Sequence, residues 1–374
     1  MSTGMDRIYW FEHGWPNESP YSRDGFGTRP YSLASGFSLS IMLTGEGRGK
    51  REDDLFYQTI NDKRNLSIIG LDIGGTKFAV VEGTVEGEIL GGIQQPTETE
   101  RGFEDTFARL CAAVEGMLAE AHAAGRKVVA LSVSIGGPLD IERGIIYSPP
   151  NLPGWDAIPL KDLLRRRFGL SVYVEHDGNA GALAEWRFGA GRGARNLIFL
   201  TMGTGLGGGI ILNGQIYRGT SDLAGEVGHM RIAPDGPLAY GKRGSWEGYC
   251  AGPAFAVHAQ EMFPQRWGAG ASTPEIVALA LSGDADAVKV VERVAHYLGQ
   301  GLAILADILN PGIIVIGSMA VRLGEMLLEP ARRAMKEEAL PGAYAACRVA
   351  PAALGERIGD IAALCAAIEG LRSV

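Results

Sequence analysis

The 374-residue sequence lacks several features that would place it in a whole class of proteins. No apolar run approaches the roughly 20 residues of a membrane-spanning helix, so we predict no membrane span. The formal net charge is −8, which argues against non-specific binding to nucleic acid, because such binding needs a basic surface. The first 20 residues contain Asp6, Glu12 and Glu18 and lack an apolar core, so we expect no signal peptide.

The four cysteines are far apart and form no Cys-x-x-Cys pair. We therefore expect buried thiols in a reducing compartment, which predicts a cytoplasmic protein. The residues concerned are Cys111, Cys250, Cys347 and Cys365.

Glycine, by contrast, is abundant: the 54 glycines are about twice the usual share and cluster in loops between apolar runs. From Asn65 onward, strand hairpins come first and strands then alternate with helical patterns, which predicts an α/β protein with a mixed sheet covered by helices in two lobes. Residues 1–64 show neither a lasting helical stripe nor a basic recognition helix. We expect them to be disordered or an upstream-translated extension, with a small accessory role as the alternative.

The stretch LDIGGTK, Leu71 to Lys77, lies between two apolar runs and predicts a strand, a tight glycine turn and a second strand. Gly74 and Gly75 have no Cβ atoms, so backbone N–H groups can close on a phosphate. Thr76 adds a hydroxyl donor, and Asp72 at the strand end can hold a cation or its water shell. An ordinary glycine hairpin is the alternative interpretation.

A second glycine-rich stretch, Met202 to Gly209, contains the spacing Gly-x-Gly-x-x-Gly at Gly203, Gly205 and Gly208. A dinucleotide site would require a helix after this loop, whereas a further strand and an Asn-Gly turn follow. The pattern therefore favours a second glycine hairpin facing the first, with Thr204 and neighbouring N–H groups on the phosphates of a nucleotide.

Asp177 lies in VEHDGN, where a predicted strand ends and a predicted helix begins. Its carboxylate could cap the helix, and the spacing alone favours that interpretation. The chemical alternative is a general base that accepts a hydroxyl proton during phosphoryl transfer.

A third polar cluster comprises Glu226 and His229 in GEVGH and Glu247 in SWEG. Two carboxylates and an imidazole on glycine-rich loops can hydrogen-bond several hydroxyls of a sugar. They could also be zinc ligands, but a closed zinc site needs four ligands, usually with cysteine, and only Cys250 is near in sequence.

Taken in order, these motifs resemble the ROK family (repressor, open reading frame, kinase) of sugar kinases and regulators. The resemblance runs from about Leu66 to Leu371 and rests on LDIGGTK, MGTGLGGGIILNGQIYRG, GEVGH, EHDGNAGALAE, PNLPGW and LNPGIIVIG. It implies an actin-like, hexokinase-type ATPase fold (ribonuclease H-like) with two lobes around a cleft. Residues 65–176, completed by a C-terminal helix over 355–374, would form a small lobe, and residues 177–354 a large lobe.

The resemblance also implies an ATP-dependent sugar kinase that uses Mg²⁺ and phosphorylates a hexose hydroxyl, foremost the 6-OH of glucose or a related hexose. A non-catalytic sugar-binding protein and a sugar-responsive regulator are the alternatives. A homodimer or larger homo-oligomer is implied.

By position, Asp177 becomes the general base and Asp72 acts on Mg²⁺. The residues implied to hold the nucleotide are Gly74, Gly75, Thr76, Lys77, Gly203, Thr204 and Gly205, with Gly317 near the adenosine. Those implied to line the sugar pocket are Gly137, His176, Glu226, His229 and Glu247.

Two departures from the family pattern affect these expectations. Zinc-binding members carry a CxCGxxGC box after the GH motif, but here the matching run is LAYGKRGS, with Leu238, Tyr240 and Ser245 in place of the cysteines. We therefore expect no zinc site and a loop held by packing, with Tyr240 and Trp246 as candidates. The residue before the catalytic Asp is usually Asn and is His176 here, so the substrate sugar is open.

Overall fold

The structure is a computed structural model that describes residues 65–239, 241–268 and 270–372. The expectations for residues 1–64 and for Tyr240 lie outside these ranges.

The described residues form strands and helices that alternate along most of the chain. The strands are β1 Leu66–Ile73, β2 Lys77–Gly83, β3 Ile89–Pro96, β4 Lys127–Ile135, β5 Leu139–Asp140, β6 Ile145–Ile146, β7 Ser171–His176, β8 Leu197–Met202, β9 Leu206–Leu212, β10 Gln215–Ile216, β11 Leu238–Ala239, β12 Lys242–Arg243, β13 Ile313–Ile316 and β14 Arg348–Pro351. The helices are α1 Gly102–Ala123, α2 Leu160–Phe168, α3 Asp177–Phe188, α4 Trp246–Cys250, α5 Gly252–Met262, α6 Thr273–Leu281, α7 Ala285–Leu309, α8 Met319–Leu323, α9 Glu325–Glu338, α10 Pro341–Ala346 and α11 Ile358–Arg372. Single 3₁₀ turns cover Thr99–Arg101, Val227–His229 and Gly355–Arg357.

Two five-stranded mixed sheets share one strand order. The first sheet runs β3-β2-β1-β4-β7 and the second runs β10-β9-β8-β13-β14. In each, an opening antiparallel pair (β1 with β2, β8 with β9) is followed by parallel strands on the other side of the first strand. Each of the two glycine-rich stretches therefore forms the turn of an opening hairpin, one in each sheet.

Helices bury the apolar faces of both sheets. The long helix α7 places Val290, Val294 and Leu298 in the core beside the second sheet, and Asp284 caps its first turn by accepting from the N–H groups of Asp286 and Ala287. The C-terminal helix α11 packs on the first sheet, where the N–H of Ala367 donates to the hydroxyl of Ser132 on β4 at 3.1 Å. It also packs against α3, so α3 and the first sheet share one covering helix.

Two further findings concern individual side chains and helices. All four cysteines are buried and free, as the sequence predicts. Within the part of the chain that the structure describes, no helix is both long and apolar enough to cross a membrane.

Candidate active site

The carboxyl ends of three parallel strands meet at one edge of the first sheet. β1, β4 and β7 end at Ile73, Ile135 and His176, and Ile135 is the register partner of both other residues. The segments that leave these ends are the first glycine loop, the Gly136-Gly137 pair and Asp177. Parallel pairing therefore brings three sequence-predicted parts of the site to one edge.

Asp177 is the first residue of α3 and its side chain is 55% exposed. Its Oδ1 accepts a hydrogen bond from the N–H of Gly178 at 2.7 Å. Its Oδ2 faces the Gly136 backbone, at 3.8 Å from where a Cβ of that residue would lie. The side chain that accepts as the helix N-cap is that of His176, at 3.3 Å from the same N–H. The Oδ2 atom of Asp177 therefore faces the edge of the first sheet at which β1, β4 and β7 end.

Asp72 lies in the same place, one residue before the end of β1. Burial, followed by the negative charge of Asp177, raises the pKa of Asp72 from 3.8 to about 6, while a hydrogen bond from Ser134 and the charge of Lys77 act in the opposite direction. The carboxylate also lies against α11, because a Cβ at Gly359 would be 3.2 Å from its Oδ2. A cation bound beside Asp72 would offset the negative charge that Asp177 places on this buried carboxyl group.

His176 lies between two carboxylates. Its Nδ1 is 3.2 Å from Oδ1 of Asp177, and its Nε2 is 3.8 Å from Oε1 of Glu226. Gly137 approaches the ring so closely that a Cβ there would be 2.9 Å from the imidazole Cδ2. The structure therefore brings together four sequence-predicted residues: Gly137, His176, Asp177 and Glu226.

Glycines allow α3, β9 and the GEVGH segment to approach one another. A Cβ at Gly178 would lie 2.6 Å from the carbonyl oxygen of Gly208, and one at Gly225 would overlap that same oxygen. Gly225 has φ of +101°, which side chains rarely adopt. Because these backbones touch, Glu226 comes within reach of His176.

The remaining sugar-site candidates lie at the second glycine loop. Oε2 of Glu247 accepts from the N–H of Leu206 at 2.9 Å and lies beside Gly205. Gly228, in the turn that carries His229, packs on the Leu206 backbone and on the Cβ of Glu247. The structure thus groups Glu247 and the GEVGH turn around the start of β9.

The two glycine loops are held by backbone hydrogen bonds. In the first, the N–H of Gly74 donates to the carbonyl of Lys77 at 3.0 Å, and Thr97 Oγ1 donates to the carbonyl of Gly74 at 2.6 Å. Gly75 packs directly on the backbone of Asn151, in the PNLPGW segment. The ammonium group of Lys77 points to Gln94 on β3, to which it donates at 2.9 Å.

In the second loop, the N–H of Gly203 donates to the carbonyl of Gly205 at 3.0 Å, with Thr204 between them. Gly317 follows β13, the parallel neighbour of β8, and its N–H donates to Leu200 at 2.8 Å. The strand that the sequence predicts after this loop is confirmed as β9, so no helix follows the glycine spacing. The nucleotide roles of the loop residues stay predictions.

The segment after His229 is held by protein groups. Lys242 on β12 donates its ammonium proton to the carbonyl of His229, and the hydroxyl of Tyr249 donates to the carbonyl of Asp235 at 2.7 Å. Among residues 65–239, 241–268 and 270–372, no three His, Cys, Asp or Glu side chains cluster as metal ligands. The expectation of no zinc site stays a prediction.

The sequence motifs did not single out Glu175, Asn179 or Arg218 as parts of the site. Glu175 is buried, pairs with Arg218 and accepts from Asn179 Nδ2 at 2.9 Å. The available signal is a carboxylate next to Val174 at the end of a predicted strand, directly before His176. Its partner Arg218 lies 43 residues later and follows from no local pattern.

Comparison with known proteins adds three findings. A model of the ROK family matches residues 68–369. A glucokinase from Streptomyces coelicolor is 36% identical over 310 residues, which cover 79% of this chain and 95% of that protein. The xylose repressor of Bacillus spizizenii is 26% identical over 318 residues, which cover 84% of this chain and 80% of the repressor.

Among solved structures, a ROK family glucokinase from Streptomyces griseus in complex with glucose and AMPPNP superposes with a TM-score of 0.66 at 35% identity. The match covers 79% of this chain and 97% of that one.

Proposed function

The chain belongs to the ROK family and has its actin-like, hexokinase-type ATPase fold, and from this premise we propose that it is an ATP-dependent hexose kinase. The proposed reaction is phosphorylation of a hexose hydroxyl, foremost the 6-OH of glucose or a related hexose, with Asp177 as general base. Kinase relatives at 33–36% identity support the proposal.

The observation that carries the proposal is the position of Asp177. Its carboxylate is exposed at the strand edge, shares that edge with Asp72 and the first glycine loop, and is connected to Glu226 through His176. A residue that served only to cap α3 would need none of these neighbours, and the cap bond to the N–H of Gly178 uses only Oδ1 of Asp177.

In the proposed mechanism, Glu226, His229 and Glu247 bind sugar hydroxyls and fix the ring. Oδ1 of Asp177 is occupied by the N–H of Gly178, so Oδ2 is the oxygen that accepts the proton of the attacking hydroxyl. Positioning and charge neutralisation supply most of the acceleration in phosphoryl transfer, and general-base help contributes roughly 10²–10⁴-fold.

The residues present fit a magnesium ion that is bound mainly through the nucleotide. Mg²⁺ usually keeps several waters and takes one or two carboxylates together with phosphate oxygens. Asp72, whose pKa is raised to about 6 by burial and by Asp177, would hold it, because a cation offsets the unfavourable charge there. When bound, the ion would neutralise charge on the phosphates.

The main test is coupled ADP release over a panel of hexoses and N-acetylhexosamines. We expect turnover with at least one sugar, and we expect Asp177→Asn to lower kcat at least about 100-fold while the thermal unfolding midpoint stays near that of the wild type. Near-normal turnover of the Asn variant would remove Asp177 from the base role.

The second candidate function is sugar-responsive regulation or non-catalytic sugar binding, which the xylose repressor relatives favour. The same panel separates the two functions if sugar binding is measured in parallel by calorimetry. Binding of a sugar without ADP release from any of them would favour the second candidate. Cytoplasmic location and a homodimer or larger assembly stay predictions.

A further inference from the structure

Glu175, the residue before His176 on β7, uses both oxygens of its carboxylate. Its side chain is 1% exposed, and its Oε2 accepts from Nε and Nη2 of Arg218 at 3.0 and 2.5 Å. Its Oε1 accepts from the backbone N–H of His176 at 3.1 Å and from Nδ2 of Asn179 at 2.9 Å. The last two bonds lie on either side of Asp177 in the chain.

Arg218 belongs to a different part of the fold. It follows β10 and begins the segment that leads to Glu226, and its carbonyl accepts from the N–H of Ala224 at 3.0 Å. Its guanidinium therefore links the segment that carries Glu226 to the strand end that carries Asp177.

The ion pair crosses a gap between the two sheets. β7 is an edge strand of the first sheet and β10 is an edge strand of the second. A cavity of about 420 Å³ lies between them, lined by Glu175 and Arg218 as well as by Tyr173 and Gln215. The charged hydrogen bonds between Arg218 and Glu175 link the two edges across this gap.

We propose that Glu175 and Arg218 are positioning residues that set Asp177 relative to Glu226. This inference rests on the proposed kinase function. If Asp177 accepts the hydroxyl proton while Glu226 holds the sugar, a small shift between their segments misplaces the base without removing any group that touches the substrate. Such misplacement costs turnover more than it costs sugar binding.

The test begins with Arg218→Met, which leaves the buried carboxylate without its cation. We expect kcat to fall about 10- to 100-fold and the sugar KM to change by a smaller factor. Arg218→Lys should recover part of the kcat because it restores the charge. In a Glu175→Gln background, Arg218→Met should cost much less, since no unpaired buried charge is left.

A matched control exists within the same sheet. Glu82 on β2 is 2% exposed and accepts from Nε and Nη2 of Arg126 at 2.7 and 2.6 Å, at the opposite end of β4 from the site. Both Arg126→Met and Arg218→Met should lower the unfolding midpoint, but Arg126→Met should leave kcat close to that of the wild type.

Hydrogen exchange at the His176 amide provides a readout that needs no activity. We expect faster exchange in Arg218→Met than in Arg126→Met. Three results would each overturn the positioning role. They are equal kcat losses in Arg218→Met and Arg126→Met, a full additive kcat loss in the Glu175→Gln background, and unchanged exchange at the His176 amide. Absence of ADP release by the wild type would refute the kinase proposal. The exchange comparison would still test whether the ion pair between Glu175 and Arg218 holds the backbone at His176.

Discussion

Replacing Asp72 with Asn should make the folded protein more stable at neutral pH while impairing the proposed reaction. Burial and the charge of Asp177 raise the pKa of Asp72 from 3.8 to about 6 in the folded state. Above pH 6 the Asp72 carboxyl group is ionised in both states, but its ionisation is less favourable in the folded state than in the unfolded state. The native state binds more protons than the unfolded state between pH 3.8 and about 6, so stability falls as the pH rises through that window.

The size of the effect follows from the size of the shift. A change of about two pKa units corresponds to about 3 kcal/mol, and the partial exposure of Asp72 reduces our expectation to about 2 kcal/mol. Asn has nearly the same shape and carries no charge, so Asp72→Asn should gain about this free energy of unfolding at pH 8. The gain should shrink as the pH is lowered to 5, because the wild-type carboxyl group then becomes protonated.

Urea unfolding of both proteins at pH 8, 6.5 and 5, without nucleotide or Mg²⁺, measures this difference. The exposed residue Glu337 on α9 supplies the control, since Glu337→Gln should change the free energy of unfolding by less than about 0.5 kcal/mol at every pH. In the ADP-release assay, Asp72→Asn should raise the KM for MgATP. A variant that is less stable at pH 8, or a difference that does not vary with pH, would refute the reasoning.

Three further predictions follow from the site. Gly225→Ala, at φ of +101° and against the carbonyl of Gly208, should cost about 1–3 kcal/mol in urea unfolding, whereas Gly268→Ala, with open space around its Cβ, should be near neutral. Lys242→Met removes a donor to the carbonyl of His229 and should raise the sugar KM about 3- to 10-fold with little loss of kcat, an effect that Lys242→Arg should partly reverse. Dialysis against a zinc chelator should change neither the unfolding midpoint nor the sugar KM, and a drop in either would contradict the expectation of no zinc site.

Short-range features could be predicted well from the sequence. The first hairpin follows from two glycines between apolar runs. The stretch from Ala285 to Leu309, closed by Pro311 and Gly312, predicts one long helix, and α7 has the same two ends. β9 shows where this reasoning is incomplete, because the sequence pattern predicts a strand over Gly209 to Leu212 and the structure has it from Leu206 to Leu212. Gly207 and Gly208 have little strand propensity of their own, but both pair with β8, and that pairing decides their conformation.

The sequence also indicated which residue types form the candidate site, since carboxylates and glycines stand out locally between apolar segments. It could not show that Glu175 meets Arg218 across two sheets, or that His176 lies between Asp177 and Glu226. The sequence alone thus determined the glycine turns, the apolar strands and the identity of the polar groups, because these depend on neighbouring residues. Only the tertiary structure decided which charges meet and how far they are buried, because both depend on how distant strands pair.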